Sequence, residues 1–148
     1  MSGGKQFEEA LARLPHGPEF RFVDRLVGLQ PGESGIGEYT LRGDEAFLAG
    51  HFPGNPLMPG VLLIEAAAQL AGVVAQCDPA VPPLDGLKLT AVRNAKILGT
   101  ASPGQTVRIE AEIDGRMGNL IQASAIVLLQ DKEILRMALT LSGAAVAE

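Results

Sequence analysis

VLLIEAAAQLAGVVAQC, residues 61–77, is the stretch whose reading decides the fold. It is too long for an ordinary strand, and its Ala and Leu content favours helix. Apolar side chains occupy every side of the helix so formed, which is the signature of burial all round. Glu65, Gln69 and Gln76 make it a poor membrane span, and it is short for one. Ala66, Ala67, Ala68, Ala71, Gly72 and Ala75 let strands or a second helix approach closely, as a central helix wrapped by a sheet requires.

Strand patterns lie on both sides of this helix. Downstream, Val107, Ile109, Ala111 and Ile113 alternate with Thr106, Arg108, Glu110 and Glu112, which predicts a strand over 106–113 with one buried and one wet face. The turn Gly115-Arg116-Met117-Gly118 leads to a strand over 120–129. Gln130-Asp131-Lys132 then turns into a third over 134–141, so an antiparallel meander is expected. Upstream, residues 19–29 and 36–41 form a hairpin about the turn Pro31-Gly32-Glu33-Ser34-Gly35. Before them, Phe7, Ala10, Leu11 and Leu14 recur at helical spacing, predicting a short amphipathic helix that ends before Pro15. The expected class is α+β, a long central helix wrapped by an antiparallel sheet.

Composition narrows what such a domain can do. At 148 residues the chain suits one core, so a single domain over 1–148 is expected. Apolar residues make up 47% and charged ones 20%, as in a packed protein rather than a disordered one. A net charge of −5, one Tyr and no Trp argue against nucleic acid as a partner. Cys77 has no partner cysteine and the first residues lack an apolar secretory core, so a reducing, cytoplasmic setting without a membrane span is expected. Two histidines far apart and one thiol give no metal-ligand spacing, and no metal is expected.

The chemistry gathers at the start of the central helix. Glu65, Gln69 and Gln76 share one stripe of it, with Gly72 between. A carboxyl buried without a partner is driven toward its protonated form and can donate a proton. From the helix alone, a Glu bonded to Gln69 or paired across an interface reads equally well. Directly upstream, residues 50–60 are Gly-His-Phe-Pro-Gly-Asn-Pro-Leu-Met-Pro-Gly, whose prolines restrict the backbone and hold the side chains. A polyproline ligand shows similar spacing but should be exposed and polar, whereas this loop runs into the most apolar helix of the chain.

Pro59 suits the first helical turn, and Gly60 behind it leaves a bare amide able to polarise a thioester carbonyl and so loosen the adjacent Cα proton. His51 is the natural base for that proton. His16 has no comparable company and reads as a structural residue. Cys77, at the far end of the helix with no His nearby in sequence, reads as a buried structural thiol rather than a nucleophile.

The string GHFPGNPLMPGVLLIEAAAQLAG, residues 50–72, closely resembles the active-site signature of the 3-hydroxyacyl-[acyl-carrier-protein] dehydratases of fatty-acid synthesis, the FabZ type. The likeness extends through Leu14-Pro15-His16 and Phe22-Val23-Asp24-Arg25, and more weakly through Asn94-Ala95-Lys96 and Ser102-Pro103-Gly104. It implies a hot-dog fold assembled as a homodimer or a trimer of dimers. It also implies that His51 removes the Cα proton, Glu65 protonates the departing hydroxyl and the Gly60 amide holds the thioester carbonyl. Pro59 and Gln69 would support them, with no cofactor.

Glu rather than Asp at position 65 resembles the branch that dehydrates without isomerising. Two stretches depart from the family pattern. Ile97-Leu98-Gly99-Thr100-Ala101 stands where a basic Phe-Arg-Arg-Pro-Val-like run is usual, and Gly17 stands where a basic residue usually follows Leu-Pro-His. The resemblance therefore implies dehydration of a (3R)-hydroxyacyl thioester, carried on acyl carrier protein or CoA. The rivals are a hot-dog thioesterase, in which the helix carboxylate would activate water, and a non-catalytic acyl-binding module.

Overall fold

A computed structural model of the chain describes residues 2–145. Helix α1 (Ser2–Leu11) is followed by strands β1 (Arg25–Gln30) and β2 (Ser34–Thr40), helix α2 (Gly60–Gln76), and strands β3 (Leu84–Ile97), β4 (Thr106–Met117), β5 (Leu120–Leu129) and β6 (Lys132–Ala145). The strands form one sheet in the order β1-β2-β4-β5-β6-β3, antiparallel at every pairing. The sheet curls about α2, which touches β2, β3, β4, β5 and β6.

The expected meander is β4-β5-β6, and β4 buries the alternating face read from sequence, with Val107, Ile109 and Ala111 inside. Leu63, Leu70, Val73 and Val74 of α2 are completely covered. Each contributes roughly 1.5–3 kcal/mol relative to an exposed position.

Three expectations are corrected. Residues 19–24 are not strand: Pro18–Phe20 make a 3-10 turn and the strand begins only at Arg25. Helix α1 starts and ends earlier than its apolar spacing predicts, and Leu14 is buried from the loop beyond it. Strand β2 begins at Ser34, two residues before the expected start, and periodicity misses the early part because its inward positions are Gly35 and Gly37, which carry no hydrophobic signal. A Cβ on Gly35 would stand 2.6 Å from Val74 Cγ2, so the missing side chain is what lets β2 lie against α2.

Strand β3 lies outside the expected strands, because hydrophobic periodicity does not reveal it. It is an edge strand, mostly exposed, and its register against β6 shifts between Asp85 and Lys88, Leu89 and Ala91, and Arg93 and Lys96. Each shift breaks the two-residue alternation by which a strand is read.

Helix α2 is also less enclosed than its composition suggests. Val61 is 67% exposed, and Leu62, Ile64, Glu65, Gly72 and Gln76 are only partly covered, so one flank is open within the chain. No helix among the described residues is long and apolar enough to cross a membrane.

Candidate active site

The loop before α2 is a small closed hairpin. Phe52 and Asn55 exchange backbone hydrogen bonds at 3.1 and 2.8 Å, and the Leu57 amide donates to the His51 carbonyl at 2.9 Å. The Met58 amide donates to Ala101 at 2.9 Å, tying the loop to the segment entering β4. These bonds fix the backbone from which His51 projects.

The His51 ring is oriented by the same loop. Its Nδ1 lies 2.9 Å from the Leu57 carbonyl. A carbonyl can only accept, so the hydrogen sits on Nδ1 and Nε2 presents a free lone pair. Phe52 stacks on the other side, ring centroids 4.0 Å apart. That tautomer and orientation suit a proton acceptor.

Pro59 is the residue that caps α2, not one inside its first turn, and Gly60 is the first helical residue. The Pro59 carbonyl accepts from the amides of Leu62 and Leu63 at 2.9 and 3.3 Å. The Gly60 amide belongs to the helix-terminal groups that have no partner within the helix. Ile97 packs over it: a Cβ at position 60 would fall 2.8 Å from Ile97 Cδ1, so glycine is the residue that fits.

Glu65 lies one turn into α2, on the wall of a cavity of about 590 Å³. The stripe expected from sequence, Glu65, Gln69, Gly72 and Gln76, lines it, and Leu14, Phe20, Leu87, Leu89 and Leu141 add apolar walls. Gln76 reaches across to β3, donating to the Leu84 carbonyl at 2.7 Å and accepting from its amide at 3.0 Å.

Of the two readings left open for the helix, a partnerless buried carboxyl and a Glu bonded to Gln69, the structure shows the second. Its side chain is 23% exposed, and two nitrogens converge on Oε2: Gln69 Nε2 at 3.0 Å and His16 Nε2 at 3.3 Å. Gln69 itself is 2% exposed and fully used. It also accepts from the Phe22 amide at 2.9 Å and donates to the Phe20 carbonyl at 2.8 Å. It thus fastens the 20–22 segment to α2 while gripping the carboxyl.

His16 is the residue that the sequence reading passed over, for its company comes from α2, some fifty residues on. The available signal was the likeness to the dehydratase pattern at Leu14-Pro15-His16, which includes this residue. His51 is not among the residues lining the Glu65 cavity.

Burial pushes the Cys77 thiol up, an effect that nearby Arg13 opposes only weakly, so the residue resists becoming the thiolate a nucleophile needs.

Residues 14–138 match the FabA-like domain. The chain belongs to the FabA-like family. Curated relatives within reach of it are named 3-hydroxyacyl-[acyl-carrier-protein] dehydratase FabZ. The protein of Chloroflexus aggregans is 40% identical over 108 residues, covering 72% of this chain and 74% of the relative. That of Syntrophomonas wolfei is 35% identical over 127 residues, covering 86% and 88%. Among solved structures, the dehydratase heterocomplex ApeI:P from Xenorhabdus doucetiae superposes with a TM-score of 0.76 at 14% identity, covering 91% of both chains. At that identity the likeness concerns the fold, and the helix wrapped by an antiparallel sheet is the hot-dog fold. Function rests on the site and on the closer FabA-like relatives.

Proposed function

We infer that this protein is a 3-hydroxyacyl-[acyl-carrier-protein] dehydratase, a hydro-lyase of fatty-acid biosynthesis that converts a (3R)-hydroxyacyl thioester to its trans-2-enoyl product. The FabZ-named relatives support the reaction. The observation that carries the site assignment is the His51 ring, whose Nδ1 is committed to the Leu57 carbonyl so that Nε2 is free to accept a proton.

The steps follow from the groups present. The Gly60 amide, at the positive end of α2, polarises the thioester carbonyl as charge grows on its oxygen. His51 Nε2 takes the Cα proton, and the electron pair left behind forms the double bond between C2 and C3. The C3 hydroxyl departs with a proton from Glu65 as water. The apolar walls around Glu65 accommodate hydrocarbon, and no oxidation or reduction occurs. A thioesterase would need the carboxylate to activate a water instead. His51 in a base-ready tautomer favours dehydration over that reading.

We infer that each active site takes His51 from one protomer and Glu65 from its partner, a reading supported by the absence of His51 from the lining of the Glu65 cavity within one chain. Two features support this homodimer. The flank of α2 around Val61 is uncovered, and β3 is a long edge strand whose one neighbouring strand among the described residues is β6, a ready template for an isologous contact. Trimers of such dimers are compatible with it. The setting is the cytoplasm, where a lone thiol stays reduced.

Assay of the purified protein with carrier-linked and CoA-linked 3-hydroxyacyl substrates tests the reaction. Enoyl product with the thioester intact is expected. Release of free thiol would instead identify a thioesterase.

A further inference from the structure

We propose that His16 is a positioning residue for the acid. With Gln69 it holds Oε2 of Glu65, so that Oε1 is the oxygen that delivers the proton. The proposal rests on the reading of Glu65 as the acid.

His16 lies in the loop between α1 and the 3-10 turn Pro18–Phe20, and this loop is anchored. Arg21 donates from Nε to the His16 carbonyl at 2.8 Å and from Nη2 to the Leu14 carbonyl at 3.4 Å, while Leu14 is buried. The ring thereby reaches α2 from outside the helix, its Nε2 3.3 Å from Glu65 Oε2.

Its other nitrogen, Nδ1, is buried and has no hydrogen-bond partner. That asymmetry decides the tautomer. A buried N–H without an acceptor is rarer and costlier than an unpaired acceptor, so the hydrogen belongs on Nε2, the nitrogen that faces Glu65 Oε2 at 3.3 Å.

Gln69, which donates to Oε2 at 3.0 Å, and His16, in contact with it at 3.3 Å, therefore act on one oxygen. A carboxyl is planar, and gripping Oε2 from two directions sets where Oε1 points. Among the described residues no hydrogen bond reaches Oε1, and the Glu65 side chain is 23% exposed on the cavity wall, which leaves Oε1 as the oxygen to meet substrate. In the acid form Oε2 is the carbonyl oxygen, which accepts from His16 and Gln69, and Oε1 carries the proton. After the transfer the same two donors hold the carboxylate, so little reorganisation is needed during the step. No proton passes through His16. Its work is orientation.

The test is kinetic. In the full-length protein, His16→Ala should lower kcat by roughly 10- to 10²-fold, as expected for a misplaced reacting group, with KM changed less than about 2-fold. His16→Gln, whose amide Nε2 can replace the ring donor, should restore most of kcat. In a Glu65→Gln background, His16→Ala should cause no further loss.

Wild-type kcat in folded His16→Ala, a raised KM with kcat intact, or an additive loss in the double variant would each overturn the proposal. Should His16→Ala fail to fold, His16→Gln decides: turnover as low as that of Glu65→Gln, in a folded protein, would show that the amide donor does not replace the ring. The underlying reading fails separately. Full turnover in Glu65→Gln removes the acid itself, and with it any role for His16 through it.

Discussion

The two halves of the site are built in opposite ways. The His51 half is local: a loop of a few residues closes on itself, and the carbonyl orienting the ring comes from Leu57, six positions on. The Glu65 half is assembled from distant segments, with His16 and the Phe20–Phe22 stretch brought to Gln69 and Glu65 across the chain. Locally closed geometry can be read from a motif, whereas geometry made by packing cannot. It follows that the base half should survive changes in the core that disturb the acid half.

The most severe test of this division removes the two reacting groups. His51→Ala and Glu65→Gln should each lower turnover by at least roughly 10²-fold while both proteins remain folded. Mixing and refolding the two inactive chains should recover about a quarter of wild-type activity, since half of random dimers are mixed and each has one intact site. Recovery of nothing, with chain exchange confirmed by mass, would place both halves in one protomer. Wild-type rate should also trace a bell against pH, its limbs belonging to the coupled pair. A flat profile through the range where histidine titrates would remove the assignment.

Removing the clamp on the acid half sharpens the contrast. Gln69→Ala leaves the Phe22 amide and the Phe20 carbonyl without their partner, so a loss of about 1–3 kcal/mol in stability is expected from denaturant titration, together with a fall in kcat. A fall in activity without any loss of stability would show that the clamp does not hold the fold.

A comparable cost without chemistry is expected at Gly35→Ala, where the new methyl meets Val74 on the far side of α2. Roughly 1–3 kcal/mol should be lost by thermal or denaturant unfolding, with kcat retained in the remaining folded protein. Unchanged stability would mean that β2 can move away from the helix at little cost.

The smallest effect concerns Glu45, which precedes the His51 loop but touches neither reacting group. Burial pushes its carboxyl up, but the Arg42 amide, the Tyr39 hydroxyl and the Gly43 amide together hold it below its ordinary value of 4.5. Tyr39 is raised in turn by burial and by that carboxylate. A carboxyl depressed on folding adds stability above its unfolded value, and this is lost as pH falls through the folded one. Acidification below about pH 4.5 should therefore destabilise wild type more than Glu45→Gln. Parallel pH dependences would assign the linkage to other carboxyls.

What the sequence by itself determined are the features whose causes lie close together along the chain. The central helix, the β4-β5-β6 meander, the Pro-Gly loop holding His51 and the stripe of Glu65, Gln69 and Gln76 are all set by local periodicity or backbone restriction. Tertiary structure alone decided β3, whose bulges and edge exposure erase the alternation, and the start of β2, whose inward residues are glycines. It also decided the open flank of α2 and the meeting of His16 with Glu65. The physical reason is the same in each case: a side chain's partner across the fold leaves no mark on its neighbours in sequence.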